Sequence, residues 1–377
     1  MGSGDEVGRA PRTAWEFARL ARPRPDYNST EFESSDEAPA SPQDCYNSSR
    51  NATAFSGEML RIPLLYLSKA GWAHSSLTRW GFARRASRRF VAGETMQEAL
   101  QVALSLNQRG LGAALAQLGE HVVSASEATQ ARMACGDLLR AIEERKLGAY
   151  LSVKLTQIGL TVDFDLCMEN MLEIARVATL NDSFIRIDME ESGTIDQTLS
   201  IGHALRRHGL SNVGLVFQAY LRRSERDLRS AAEAGIPIRL VKGAYQEPKS
   251  VAIQSKSEVN ANFDRLTAIL LEAARSQGGA PGSRDGRTPP LAAIATHDPV
   301  RIQFAETHAQ QIGLPKSALE FQLLYGIRSE LQRSLRDKGY PVRIYVPYGA
   351  QWYPYLMRRL AERPANLWFF LSNLIRR

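Results

Sequence analysis

The sequence predicts an α/β protein built as a (β/α)₈ barrel, and three observations lead to this prediction. Eight short apolar segments recur between Gly112 and Val346, each as long as a buried strand. A stretch in which apolar residues have helical spacing follows each of these segments. The repeats occupy roughly 250 residues, which is the usual size of such a barrel.

Each element is assigned from its apolar pattern, in the order of the chain. Short continuous apolar runs are assigned as strands, over 112–118, 149–155, 184–189, 213–218, 237–243, 291–296, 319–324 and 342–346. Longer stretches with helical spacing are assigned as helices, over 125–146, 164–180, 194–208, 225–234, 257–276, 299–312 and 330–338. A last helix follows Gly349 and stops at Pro364, because proline cannot continue a helix.

A doubly wound sheet also alternates strands with helices, and it is the alternative architecture. A dinucleotide-binding sheet of that kind is expected to carry Gly-x-Gly-x-x-Gly after an early strand, and this sequence has none there. The barrel is therefore preferred. The Gly-, Pro- and Arg-rich segment from Gly278 to Pro290 interrupts the pattern and is predicted to be a surface insertion.

The chain is predicted to have three parts. Residues 1–56 are rich in Ser, Asp, Glu, Pro and Asn, which is typical of a disordered or loosely attached extension. Residues 57–110 have helical patterns, and Thr95 stands at the start of the clearest of these N-terminal helices. Residues 111–377 form the barrel.

Composition and charge are those of an ordinary globular protein, with 44% apolar and 23% charged residues and a net charge of +7. No basic run is interleaved with aromatic residues, so no nucleic-acid partner is predicted. Five arginines crowd one helical stretch, where they would either contact anionic lipid or face water: Arg79, Arg84, Arg85, Arg88 and Arg89. No apolar run is long enough to span a bilayer.

Neither a metal site nor a disulfide framework is predicted. The three cysteines, Cys45, Cys135 and Cys167, lack metal-ligand or redox spacing, and their odd number fits a reducing compartment. The six histidines are dispersed along the chain. No serine or cysteine nucleophile stands beside a base, so a catalytic pocket in this chain would need a cofactor.

Polar residues stand at the ends of most predicted strands, where a barrel places its active site. They are Lys154, Asp188, Gln218, Lys242-Gly243-Ala244-Tyr245, Thr296-His297, Gln322 and Tyr345. Each has a structural alternative; Lys154 and Asp188, for example, could be an ion pair that closes the barrel mouth. Taken together they indicate a ligand pocket. The Lys-Gly-Ala turn would let backbone approach a flavin or a phosphate closely.

The last helix carries Tyr355, Arg358, Arg359 and Glu362 on one face, three or four residues apart. Two adjacent guanidiniums suit a carboxylate ligand, although a solvated basic face is the alternative. Tyr355, together with Tyr345 from the last strand, offers flat walls for a small apolar ring.

Seven motifs, in the correct order, resemble those of FAD-dependent proline dehydrogenases. They are Ser152-Val-Lys154-Leu-Thr-Gln157-Ile-Gly159, Arg186-Ile-Asp188-Met-Glu190, Gln218-Ala-Tyr220, Arg239-Leu-Val-Lys242-Gly-Ala-Tyr245, Ala295-Thr-His297-Asp298, Glu320-Phe-Gln322-Leu-Leu-Tyr325-Gly326 and Tyr355-Leu-Met-Arg358-Arg359-Leu-Ala-Glu362. The resemblance covers about Arg89 to Arg377 and is greatest to the monofunctional bacterial type.

The resemblance implies a distorted TIM-like barrel, with the last helix over its mouth, and a role for each matching residue. It implies FAD contacts at Met189, Gln218, Arg239, Lys242, Gly243, Ala244, Tyr245, Thr296 and His297. It implies substrate contacts at Lys154, Leu324, Tyr345, Tyr355, Arg358 and Arg359. Asp188 and Arg239 form the catalytic frame, and Glu362 orients one of the arginines.

The resemblance further implies the reaction. L-proline would be oxidised to Δ1-pyrroline-5-carboxylate by hydride transfer to flavin N5, as the first step of proline catabolism to glutamate. Electrons would pass to a membrane quinone, and pyrroline-5-carboxylate dehydrogenase would act downstream. The expected location is cytoplasmic, with a peripheral contact at the inner membrane.

Two alternatives are open. Oxidation of 4-hydroxyproline is one, although the ring of Tyr345 would crowd a ring hydroxyl. A silent flavin- or amino-acid-binding protein on the same scaffold is the other. Such a protein would be expected to lack a charged site residue, whereas Lys154, Asp188, Arg239, Arg358 and Arg359 are all present.

Overall fold

The computed structural model describes residues 87–362, and the side chains of residues 87–359. Its strands are β1 (Gly112–Gln117), β2 (Ala149–Val153), β3 (Ile185–Ile187), β4 (Val213–Gln218), β5 (Ile238–Val241), β6 (Ala292–Ala295), β7 (Leu319–Leu324) and β8 (Val342–Tyr348). Its helices are α1 (Met96–Asn107), α2 (Ala125–Glu144), α3 (Phe164–Leu180), α4 (Ile195–Arg207), α5 (Ser224–Glu233), α6 (Lys256–Ser276), α7 (Pro299–Gln311), α8 (Ser329–Asp337) and α9 (Trp352–Glu362).

The eight strands are parallel and close into a barrel in chain order. β8 pairs with β1, with Ala114 opposite Tyr345, and this pairing completes the circle. The predicted (β/α)₈ architecture is therefore confirmed, and the doubly wound alternative is wrong because that sheet has open edges. Predicted and observed ends of the barrel elements agree to within two residues.

Of the eight strands, only β8 extends beyond its predicted end, because it continues past Val346 through Pro347 and Tyr348. Proline has no N–H to donate to a sheet, so Pro347 is an unusual residue within a strand. The Pro347 carbonyl is still used, since it accepts a hydrogen bond from the backbone N–H of Ala92 at 2.9 Å. The chain turns only at Gly349, which has a φ of +129°.

Successive residues of each strand point to opposite sides of the barrel wall. Leu115 and Leu151 belong to the main apolar core, which also contains residues of the surrounding helices. Their neighbours Ala114 and Tyr150 belong to a separate, small cluster with Phe184 inside the barrel. The rest of the interior is unusually polar for a buried layer, because it contains Arg186, Arg239, Glu320 and Arg343.

Helix α1 packs against β1 and β8 from the outside of the barrel. Thr95 begins it with a capping box, in which the Thr95 side chain accepts from the Glu98 backbone and the Glu98 carboxylate accepts from the Thr95 backbone. The predicted extension 1–56, and residues 57–86 of the predicted helical segment, lie outside the described residues.

The segment from Gly278 to Pro290 forms a loop that contains no helix or strand. Most of it is exposed, as expected of a surface insertion, but Arg287 is buried. Arg287 forms an ion pair with Glu143 and donates to the carbonyls of Leu147 and Asn181 at 3.3 and 3.4 Å. The guanidinium therefore attaches the loop to the amino ends of β2 and β3.

Helix α9 places residues at the opposite, carboxyl end of the barrel. Tyr355, Arg358 and Arg359 from this helix and Tyr345 from β8 line one cavity. The helix therefore lies at the barrel mouth. Among the described helices, none is both long and apolar enough to cross a membrane.

Candidate active site

A cavity of about 620 Å³ opens at the carboxyl ends of the strands. Every predicted site residue whose side chain is described lines it, namely Lys154, Asp188, Met189, Gln218, Arg239, Lys242, Gly243, Ala244, Tyr245, Thr296, His297, Leu324, Tyr345, Tyr355, Arg358 and Arg359. Glu362, which was predicted to orient an arginine, has a side chain outside the described part of the chain. The strand-end rule therefore identifies one site rather than scattered ion pairs.

Asp188 stands at the centre of the cavity floor, just beyond β3. Its Oδ1 accepts hydrogen bonds from Arg239 Nη1 at 2.7 Å and from Ser152 Oγ at 2.8 Å. Its Oδ2 accepts from the Tyr345 hydroxyl at 2.9 Å. With three donors, this carboxylate is held in one orientation, and its charge is paired with a buried guanidinium.

Lys154 extends from the end of β2 and is buried. Its ammonium nitrogen lies 4.0 Å from Asp188 Oδ2, at the limit of an ion pair. Burial alone would lower the pKa of Lys154, but the nearby carboxylates of Asp188, Glu120 and Glu190 raise it above its ordinary value. Lys154 is therefore a fixed positive charge facing the cavity.

Tyr345 of β8 lines the cavity and contacts Asp188 on its floor. Burial raises its pKa well above the ordinary value, and the charge of Asp188 raises it further. The hydroxyl therefore stays protonated and donates a hydrogen bond to Asp188. The Arg239 guanidinium carbon lies 5.4 Å from the centre of the Tyr345 ring, at cation–π distance.

Two cationic groups on α9 face the cavity from above. Arg358 donates from Nη2 to Glu120 Oε1 at 2.8 Å, and a longer bond of 3.4 Å joins its Nη1 to Oε2 of the same carboxylate. The Arg359 guanidinium carbon lies 5.2 Å from the centre of the Tyr355 ring. The predicted shared face of the helix is thus present for the three residues whose side chains are described.

The turn after β5 forms another wall of the cavity. Lys242 Nζ donates to Asp298 Oδ2 at 2.7 Å and to Asn260 Oδ1 at 2.6 Å. Partial burial alone would raise the pKa of Asp298, but Lys242 holds it below its ordinary value. Gly243 follows with a φ of +112°, and an added Cβ would lie 2.1 Å from the Tyr220 ring. Only glycine fits there without movement of the wall.

Gln218 and His297 offer oriented polar groups to the same cavity. Gln218 Nε2 donates to the Met189 carbonyl at 3.0 Å, whereas its buried Oε1 has no hydrogen-bond partner among the described residues. His297 Nε2 accepts from the Leu324 backbone N–H at 3.1 Å. The neutral ring must therefore carry its proton on Nδ1.

Several cavity residues were not predicted as site residues. Glu120 lies three residues beyond β1, Lys256 is the first residue of α6, and Arg328 lies in the loop just before α8. Arg328 has a left-handed φ of +50° and donates to the His297 carbonyl at 2.9 Å. Glu120 is a charged residue in the loop after a strand, and this position is the sequence signal that could have identified it. In the part of the chain that is described, no group of His, Cys, Asp and Glu could hold a metal ion.

Comparisons with known proteins point to one family. The family model for proline dehydrogenase matches residues 99–370. The chain is 38% identical over 322 residues to proline dehydrogenase 1 of Bacillus subtilis, covering 85% of this chain and all of that protein. It is 35% identical to the proline dehydrogenase of Deinococcus radiodurans, covering 79% of this chain and 91% of that protein.

A solved structure has the same fold. Proline utilization A from Bdellovibrio bacteriovorus, in a crystal structure of the protein inactivated by N-propargylglycine, superposes with a TM-score of 0.66 and 24% identity. The match covers 74% of this chain and 33% of that one. At this identity the likeness supports the barrel fold only.

Proposed function

The chain belongs to the proline dehydrogenase family, and we propose that it oxidises L-proline to Δ1-pyrroline-5-carboxylate with FAD as cofactor. The observation that carries this proposal is that one cavity contains both an arginine pair suited to a carboxylate and a glycine turn suited to a flavin. The substrate and the cofactor would therefore meet over the Asp188–Arg239 pair.

The substrate side of the cavity is formed by α9 and β8. Arg358 and Arg359 would bind the proline carboxylate, because two guanidiniums supply several directed donors to one anion. Tyr345 and Tyr355 would pack against the apolar ring, with Leu324 completing the wall. Lys154 would add a positive charge that strengthens carboxylate binding.

Asp188 and Arg239 would act on the substrate indirectly, through charge and position. The Asp188 carboxylate is held by three donors, so it presents a fixed negative charge toward the substrate amine. That charge would stabilise the cation that develops as proline becomes an iminium-like product. Because the pair is preformed, little reorganisation would be needed during the reaction.

The residues on the other side of the cavity fit a flavin nucleotide. The unpartnered Oε1 of Gln218 is an acceptor for a ring N–H, and Met189 lies beside it. The absence of a side chain at Gly243 lets backbone N–H groups approach a ligand. The remaining proposed contacts surround these two: Arg239, Lys242, Ala244, Tyr245, Thr296 and His297.

When bound, FAD would supply the hydride acceptor at N5 and then pass the electrons to a quinone. The chain's own residues would contribute binding, orientation and charge. The cavity is large enough for a ligand that reaches from the floor at Asp188 to the turn at Lys242.

The wider setting follows from this reaction. A quinone acceptor implies a peripheral encounter with a membrane, and pyrroline-5-carboxylate dehydrogenase would consume the product. Our candidate membrane contact is the arginine-rich stretch from Arg79 to Arg89, of which only Arg88 and Arg89 lie in the described range. Binding to anionic vesicles that weakens with salt would support this contact, and binding that is insensitive to salt would contradict it.

Two other functions are less well supported. Oxidation of 4-hydroxyproline would place an extra hydroxyl against the Tyr345 ring, which is fixed by its bond to Asp188. A binding protein without catalytic activity would not need the charged residues of the cavity floor, and Lys154, Asp188 and Arg239 are all present.

The test is a visible absorption spectrum of the purified protein before and after anaerobic addition of L-proline. We expect a flavin band that bleaches with proline and barely with hydroxyproline. A flavin band that stays oxidised with proline would refute the proposed substrate. No flavin after reconstitution with FAD would refute the proposed cofactor.

A further inference from the structure

Tyr150 lies below the cavity floor, inside the barrel, and has no role in the site described so far. Its side chain is completely buried, and Phe184 meets its ring edge-on at 5.2 Å. The Arg343 guanidinium carbon lies over the ring, 4.3 Å from its centre. A tyrosine so enclosed must satisfy its hydroxyl from within the barrel.

Both hydrogen-bond neighbours of the Tyr150 hydroxyl are donors. Arg239 Nη2 donates to it at 3.2 Å, and Gln322 Nε2 donates at 3.0 Å. An arginine side chain has no hydrogen-bond acceptor, so Arg239 must be the donor in the first of these bonds. The second depends on which end of the Gln322 amide faces the tyrosine.

The charged neighbours of Gln322 fix the orientation of its side-chain amide. Its Oε1 accepts from Arg239 Nε at 2.5 Å, and its Nε2 donates to Glu320 Oε1, also at 2.5 Å. A reversed amide would set its NH₂ against the guanidinium and its oxygen against the carboxylate. Within the described residues, the hydroxyl proton of Tyr150 therefore has no acceptor.

The charges around Tyr150 are also unbalanced if it is neutral. The charged groups that face it are Arg186 on β3, Asp188 just beyond β3, Arg239 on β5, Glu320 on β7 and Arg343 on β8. Glu320 pairs with Arg343 at 2.9 Å, and Asp188 pairs with Arg239 at 2.7 Å. Arg186 remains as a buried cation that no described carboxylate pairs with.

Among the described residues, the Arg186 guanidinium faces backbone carbonyls and the Tyr150 hydroxyl and has no carboxylate partner. Its Nη1 donates to the carbonyls of Leu215 and Pro237 at 3.1 and 2.5 Å, and its Nε and Nη2 have no hydrogen-bond partner among the described residues. Burial lowers the pKa of Arg186 to about 10, which still leaves it charged at neutral pH. A third anion in this layer would balance the third guanidinium.

We propose that Tyr150 is held as a phenolate and is a positioning residue that anchors the Arg239–Asp188 pair beneath the substrate. The three nitrogens of the Arg239 side chain then each have an acceptor: Gln322 at Nε, Asp188 with Ser152 at Nη1, and Tyr150 at Nη2. By sharing the charge of Arg239, the phenolate leaves more of the Asp188 charge directed at the cavity.

The electrostatics of the layer agree with this assignment. Burial alone would raise the pKa of Tyr150, but Arg239, Arg186 and Arg343 together bring it below its ordinary value. Tyr340, by contrast, packs outside the barrel interior against Phe321, and burial raises its pKa. The two tyrosines are therefore a matched pair for experiment.

The inference concerns the floor of the proposed active site and so rests on the proposed function, but its first test needs no catalysis. Fluorotyrosine is placed at position 150 of the full-length holoenzyme by amber suppression, and its fluorine NMR shift is recorded at neutral pH. We expect the shift of an ionised phenol. The same label at position 340 is expected to give the shift of a neutral phenol. A neutral shift at both positions would overturn the proposal, even in an active enzyme.

The second test uses Tyr150→Phe and Tyr340→Phe. Loss of the charge-assisted bond to Arg239 should lower kcat roughly tenfold or more, while KM changes little because Tyr150 does not reach the cavity. Flavin content should be unchanged, and Tyr340→Phe should behave as wild type. Wild-type kcat in a folded, flavin-loaded Tyr150→Phe would overturn the positioning role. If that variant does not fold, the fluorine shift alone decides the proposal.

Discussion

Arg358 of α9 donates to Glu120, beyond β1, at 2.8 Å, and this bond joins the last described helix to the loop after the first strand. The two side chains are partly exposed, at 23% and 21%. Exposed pairs of this kind contribute little to folding stability. Under the proposed function their importance is geometric, since Glu120 would hold the fork of Arg358 at the cavity mouth before proline binds.

Replacing Glu120 with alanine should therefore affect substrate binding more than folding. We expect the proline KM to rise by roughly threefold to tenfold, because Arg358 loses the partner that orients it. The melting temperature and kcat should change little. The control is Glu169→Ala, at an exposed position on α3. An unchanged KM would contradict the orienting role of Glu120, and a lower KM would show that Glu120 competes with the substrate for Arg358.

The arginines themselves should have a larger effect. Arg358→Met and Arg359→Met each remove a guanidinium while keeping an unbranched side chain, so we expect proline KM to rise roughly tenfold to a hundredfold through loss of charge-assisted bonds. Flavin content should remain at the wild-type level. Steady-state kinetics and the absorption ratio of flavin to protein measure both quantities, with the exposed Arg140→Met on α2 as control. Unchanged kinetics in both variants would contradict the proposal that these arginines bind the substrate carboxylate.

The fold could be predicted from the sequence because each part of it has a local signal. Short apolar runs and helical spacing reveal strands and helices, and the strand-end rule then locates the cavity. The partners inside the barrel could not be predicted in the same way. Arg239 and Gln322 are 83 positions apart and meet only because β5 and β7 curve around one interior. Strand alternation shows that Tyr150 points inward, but not that both its neighbours are donors.

Tyr345 should determine the preference between proline and hydroxyproline. Its hydroxyl is tied to Asp188, so the ring cannot move aside for a substrate hydroxyl. In Tyr345→Ser, the space freed by the ring should raise kcat/KM for hydroxyproline relative to proline by roughly tenfold. Tyr345→Phe is the matched control, because it keeps the ring and loses only the bond to Asp188. An unchanged ratio in the serine variant would exclude Tyr345 as the discriminating residue.

Gly243 should be intolerant of any side chain. In Gly243→Ala, the new Cβ would overlap the Tyr220 ring at 2.1 Å, and a φ of +112° strains an alanine even without the overlap. We expect a lower melting temperature and weaker flavin retention after gel filtration. Gly193→Ala is the control, since a Cβ there meets nothing within 4 Å. Wild-type stability and flavin content in Gly243→Ala would mean that the turn adopts another conformation.

The two described cysteines should be unreactive in the folded protein. Burial raises the pKa of both Cys135 and Cys167 to about 12, so neither forms the nucleophilic thiolate at neutral pH. In a Cys45→Ser background, Ellman's reagent should label no thiol in native protein and two in guanidinium chloride. Labelling of the native protein at neutral pH would show that one of these sites opens to solvent.

The same thiols should make stability depend on pH in the alkaline range. An unfolded thiol ionises near its ordinary pKa of 9.0, whereas the buried thiol of Cys135 ionises at about 12. Unfolding therefore releases protons above pH 9, and the stabilisation that is present below that pH is lost as pH rises toward 12. In this range the free energy of unfolding is expected to fall by about 1.4 kcal/mol per pH unit for each thiol. Urea unfolding of wild type and Cys135→Ala at pH 8 and pH 10 measures this fall. The free energy of unfolding should decrease less in the variant than in wild type. Equal decreases would contradict the raised pKa of Cys135.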